Sequence, residues 1–219
     1  MTKMIRVWFK KEGRARFISQ LDVSRSMARA LRRAQLPVWY TEGFSPHLFM
    51  TYALPLSLGV EGQMESMDIK LLEDLPLEEV LERLNRNLPE GLVATEVTEP
   101  VMKPAEIVQA EYEILFDTDR IPTEELKAKI EEFLAREQIL VLKHNKRGER
   151  EIDIKPSVLN FALEVGEETL NFFLWLPAGE SENINPSLLL DKMMEDWTEK
   201  PYYLIKRKKI LDKEGKIFR

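Results

Sequence analysis

The chain has 219 residues, no cysteine, two histidines and a net charge of −6. That excludes disulfides, Cys-ligated zinc and thiolate-held iron–sulfur clusters, and two imidazoles are too few for a dedicated transition-metal centre. The length suits one large domain or two small ones, and no apolar run approaches the roughly 18–20 residues that cross a bilayer.

Charge is spread unevenly. Residues 1–50 carry ten Lys/Arg against three Asp/Glu, residues 200–219 eight against two, and the stretch between them 14 against 33. The N-terminus runs straight into a strand-like pattern without an apolar leader, so a cytoplasmic protein with no membrane attachment is expected.

Met4–Lys10 alternates like a half-buried strand, continued over Arg14–Ile18 after a Glu12-Gly13 turn. Ser19 predicts a helix N-cap with Asp22 in the first turn, and the helix should run to about Gln35, before Pro37. Leu21, Met27, Ala28, Leu31 and Ala34 are its expected core positions, while Arg25, Arg29 and Arg32 form a stripe flanked by Arg33. Val38–Tyr40 reads as a short strand and Thr41–His47 as a loop. Phe49–Leu58 and Met64–Leu72 read as strands joined through Gly59–Gly62, Leu77–Leu88 as an acidic helix and Leu92–Thr98 as a closing strand. The order β-α-β-β-α-β over residues 1–101 is the split βαβ, ferredoxin-like arrangement.

After a linker at Pro100–Pro104, residues 105–219 repeat the order without repeating the sequence. Strands are expected at Val108–Phe116 and Ile139–His144, near Glu151–Lys155, and at Val158–Val165, Thr169–Leu176 and Tyr202–Leu211. Helices are expected at Thr123–Arg136 and Pro186–Trp197. The fold class is therefore α+β, two tandem ferredoxin-like domains.

The arginine helix carries the first functional expectation. A guanidinium fork matches two phosphate oxygens, so Arg25, Arg29, Arg32 and Arg33, with Arg14 and Arg16 just ahead, can follow a nucleic-acid backbone; the alternative is a solvated helix face. Tyr40, Phe44 and His47 in the following loop can stack on unpaired bases, or simply plug the end of a core. His47 is also a candidate general base, and Asp22 a second catalytic candidate. The basic turn Lys143–Arg150, with Lys143, Lys146, Arg147 and Arg150, can lie against phosphates, and Lys206–Lys209 either extends a basic surface or blunts a strand edge. Glu65 and Asp68 can form a polar site after the Gly59–Gly62 turn. Phosphate-binding loops, dinucleotide fingerprints and common hydrolase motifs are missing from the sequence.

The run F-I-S-x-L-D, then R-A-L-R-R-A-x-L-P, Y-x-E-G-F-S-P-H and A-L-P-L-x-L-G-V-E-G resembles the uncharacterised radical-SAM-linked (radical-SAM-associated) family of bacteria, over about residues 3–70. The family's signature positions fall on Ser19, Asp22, Arg29, Arg32, Arg33, Tyr40, Gly43, Phe44, Pro46, His47 and Gly59. The chain departs from the pattern at Asn185-Pro186, where a basic residue is expected before the proline. The resemblance implies a radical-SAM protein as partner and an accessory or substrate-presenting role. Any cluster would belong to that partner, and this chain would need no cofactor of its own. The leading expectation is a non-catalytic RNA-binding protein serving rRNA or tRNA modification. The alternatives are an RNA-processing or RNA-modifying enzyme using His47, and a protein-interaction scaffold for the partner.

Overall fold

The computed structural model describes residues 2–145 and 148–219. The chain divides into two compact units, Met1–Ile107 with Ile217–Arg219, and Val108–Lys216. Both are α+β.

In the first unit, β1 (Lys3–Lys11) leads through a 3-10 turn (Gly13–Phe17) into α1 (Gln20–Arg33). Then follow β2 (Met50–Tyr52), β3 (Glu61–Leu71), α2 (Leu77–Asn85) and β4 (Leu92–Thr98). The strands lie in the order β4-β1-β3-β2, all pairs antiparallel. Alternation puts Ile5, Val7 and Phe9 of β1 on one face with Met67, Ile69 and Leu71 of β3. Against them pack Val23, Met27, Ala30 and Leu31 of α1 and Val80 and Leu84 of α2.

The other face of the sheet is polar at its centre. Arg6 is fully buried there and grips Asp68 with two bonds, Nε–Oδ1 at 2.7 Å and Nη2–Oδ2 at 2.8 Å. Nη2 also donates to the Met102 carbonyl at 3.0 Å, while Nη1 has no hydrogen-bond partner among the described residues. Beside it, Trp8 Nε1 donates to Thr98 Oγ1. The segment Ile217–Arg219 closes this face: the Phe218 ring lies 4.4 Å from the Arg6 guanidinium carbon and edge-on to Trp8, and Met102 N donates to Arg219 O.

Four sequence expectations need correction here. Arg14–Ile18 is not a strand: Gly13 takes a left-handed φ of 58°, its N–H donates to Glu61 Oε1, and the chain coils into the 3-10 turn. Val38 and Tyr40 make only isolated bridges, to Leu71 and Leu48. The strand expected over Phe49–Leu58 stops at Tyr52: Ala53 N still donates to Ser66 O, and Pro55 has no N–H to give. Leu21, expected in the core, is 59 % exposed. It lies nine residues from the buried Ala30, which is two and a half helical turns and so the opposite side of α1.

The second unit holds β5 (Ile107–Asp117), α3 (Thr123–Leu134), a hairpin of β6 (Leu140–Asn145) and β7 (Gly148–Asp153), β8 (Asn160–Val165), β9 (Thr169–Pro177), α4 (Pro186–Met193) and β10 (Tyr203–Asp212). Its sheet runs β10-β5-β9-β8, and β6–β7 form a separate two-stranded sheet. Asp153 Oδ1 ties the hairpin base by accepting from the Ile139 and Lys155 amides. Asn185, the departure from the family pattern, is the N-cap of α4: its side chain accepts from Ser187 N, and Pro186 fills the first helical position.

Candidate functional site

The site is built on α1. Ser19 caps the helix by accepting from Asp22 N, and its hydroxyl donates to Asp22 Oδ2 at 2.7 Å. That bond, with help from Arg25 Nη1 at 3.2 Å, holds the Asp22 carboxyl below its ordinary pKa. Asp22 is thus an ionised capping group, occupied in holding the helix start.

From the cap onward the exposed side chains Leu21, Arg25, Arg29 and Arg32 fall within about 80° of one another around the helix, given 100° per residue. Arg29 has no partner among the described residues. Arg32 Nε donates to the Tyr40 hydroxyl at 3.1 Å, joining the stripe to the loop that follows. That loop is a closed tip. Tyr40 bridges Leu48, Thr41 N donates to His47 O, and Thr41 Oγ1 bonds both His47 N and His47 Nδ1. Gly43 turns the tip with φ 124°, and Phe44 stands wholly in solvent at 113 % relative exposure. Arg25, Arg29, Arg32, Tyr40, Phe44 and His47 therefore form one continuous exposed surface.

The remaining sequence candidates make other contacts or lie in the second unit. Arg33 donates Nη2 to Asn87 O at 2.6 Å, at the end of α2, and Arg83 of α2 returns the bond pattern by donating to the Ala34 and Gln35 carbonyls at the end of α1. The two arginines cap each other's helix, so Arg33 works as a strap. Arg16 lies 4.0 Å from Glu61 with its guanidinium over the Phe17 ring at 4.6 Å. Arg14 edges a cleft of about 210 Å³ with Glu12 and Gly91. In the second unit, Lys143 pairs with Arg150 in the β6–β7 ladder and Arg150 is exposed, while Lys146 and Arg147 lie outside the described residues. Lys208 and Lys209 pair with Glu113 and Glu111 of β5. Asp68 is taken by Arg6, and Glu65 is buried.

The His47 ring bonds the Thr41 hydroxyl at 2.9 Å and, at 3.4 Å, the Ser45 carbonyl; among the described residues no carboxylate reaches it to orient it. Among those residues no group of three or more His, Asp or Glu is arranged to hold a metal ion, and none of their helices is long and apolar enough to cross a membrane. Sequence reasoning passed over Phe17 and the capping role of Arg83. A phenylalanine next to an arginine just ahead of an N-cap was the available signal for the first; nothing local announced the second.

Fold and surface together define an α+β protein that carries a basic, aromatic-tipped helix and loop on its first unit. The chain belongs to the DUF2344 family, uncharacterized proteins conserved in bacteria, which it matches over residues 4–186. No curated protein matches it.

Proposed function

We propose that this protein is a non-catalytic, cytoplasmic RNA-binding accessory protein that serves a radical-SAM enzyme in rRNA or tRNA modification, and that α1 and the Tyr40–His47 loop are its RNA surface. One observation carries the reading: in an acidic chain, Arg25, Arg29 and Arg32 line the exposed side of one helix and lead, through the Arg32–Tyr40 bond, to an aromatic tip held out in water. Arginine forks beside exposed rings suit phosphates and unpaired bases together. The radical-SAM partner rests on the resemblance of residues 3–70 alone. Each unit orders its strands fourth-first-third-second, with β6–β7 as an insertion in the second, which supports two ferredoxin-like domains.

The test is titration with total tRNA and with rRNA fragments over a salt series, using Arg25→Ala/Arg29→Ala beside the unaltered protein. Arg33 is left intact because it straps α2. Removing two phosphate contacts should weaken binding and reduce the slope of log K against log salt by about 1.4 to 1.8. A folded double variant that binds as before would remove the helix from the site.

A further inference from the structure

We propose that this surface takes single-stranded RNA, a stretch of about four nucleotides, held between two stacking platforms: Phe44 at the loop tip and Phe17 at the head of α1. The proposal rests on the RNA reading above and names the form of RNA it accepts.

The surface has two ends. Fourteen residues of α1 from Gln20 to Arg33 span about 20 Å at 1.5 Å per residue. Beyond the C-terminal end lies Tyr40, fixed by Arg32, and then Phe44. Just before the N-terminal end lies Phe17, 63 % exposed, with the Arg16 guanidinium layered on its ring. Arg16 keeps that ring in place while most of the residue stays in water, and its own tie to Glu61 steadies it in turn. The stripe begins at Leu21, four residues after Phe17, and the Gly59 N to Arg16 O bond brings the exposed Leu58 alongside.

Two exposed phenyl rings decide between forms of RNA. In a duplex the base faces are stacked on one another, and a protein ring finds none to cover. An unpaired strand offers a face at every nucleotide, and each base stacked on an aromatic side chain contributes severalfold to affinity or more. The cations point the same way. Arg25 lends one bond to Asp22 and Arg32 one bond to the Tyr40 hydroxyl, so each keeps donors free and the stripe offers three guanidiniums to a backbone. A stripe of three cations is short, so affinity depends on the rings as well as on phosphates. A strand that follows the about 20 Å of α1 takes about four nucleotides, the lower end of single-strand site sizes.

The test uses unstructured RNA oligomers of two to eight nucleotides and a blunt RNA duplex of about 12 base pairs, measured by competition. Affinity should rise up to about four to six nucleotides and then level off, with the duplex at least 10-fold weaker. Phe17→Ala and Phe44→Ala should each lose about 5- to 100-fold. Phe17→Trp, which keeps a ring over Arg16, should retain binding, and this distinguishes stacking from a folding defect. Equal affinity for duplex, or alanine variants that bind like the parent, overturns the proposal while leaving RNA binding intact. No binding to any RNA overturns both. If Phe17, Leu21 and Leu58 instead receive a partner protein, Phe17→Ala leaves oligomer binding unchanged, and the proposal falls by the same measurement.

Discussion

Replacing Asp68 with asparagine tests the buried polar pair in the first unit with almost no change of volume. Arg6 would then sit fully buried without its counter-charge, and its two bonds to Asp68 would weaken to one neutral contact. Breaking one partner of a buried pair costs about 3–5 kcal/mol. The Asp68 side chain keeps 16 % of its exposure, so water softens the loss, and a value near 3 kcal/mol is expected. With a urea dependence of about 2 kcal/mol per molar, the midpoint should fall by about 1.5 M. Hydrogen exchange in peptides covering β1 and β3 localises the effect to this unit. Arg6→Met with Asp68→Leu, which removes both charges together, should cost far less than the single change. A single-variant shift below about 0.3 M would refute the argument, because Arg6 would then have found compensation that its buried position denies.

Two further outcomes are expected. Gly91 has φ 83° and a Cβ there would lie 2.7 Å from Ala15 Cβ and from Glu12 O, whereas Gly59, at φ 82°, faces open space. Gly59→Ala should therefore cost about 1 kcal/mol from backbone strain alone, and Gly91→Ala about 2–4 kcal/mol, read from unfolding midpoints. Tyr52 is partly buried against the core, and that desolvation pushes its hydroxyl up to about 12. The unfolded chain loses that proton near pH 10 while the folded chain keeps it, so stability should fall as pH rises from about 10 to 12. Tyr52→Phe should flatten that slope, and an unchanged slope would show that another group sets it.

Much of the architecture was readable because local chemistry and tertiary packing agree. Ser19 with Asp22 marked the start of α1, and Leu92–Thr98 was bounded by Gly91 and Pro100, so β4 emerged with the expected limits. Reading failed where the deciding partner lay far away in sequence. Arg14–Phe17 has a strand-like look, yet Glu61, 48 residues from Gly13, fixes the turn. The apolar run at Phe49–Leu58 has the composition of a strand, but Leu54 and Leu56 are buried without extending the ladder beyond Tyr52. Leu21 was assigned to the core by hydrophobicity although its angular position already placed it opposite Ala30. In the candidate site the exposed arginines and the Phe44 tip were legible one residue at a time. The split among them was not, because only the neighbouring C-terminus of α2 shows that Arg33 is a strap while Arg29 stays free.

The first unit is discontinuous in sequence, and this gives its folding a timetable. Residues up to Ile107 leave the ribosome first, but Phe218, the cover over Arg6 and Trp8, is made about 110 residues later. At 5–20 residues per second that is a delay of roughly 5–20 s. Throughout it, the sheet's second face presents an uncovered indole and a guanidinium to whatever the nascent chain meets, so the last residues of the described chain complete an interior begun by the first.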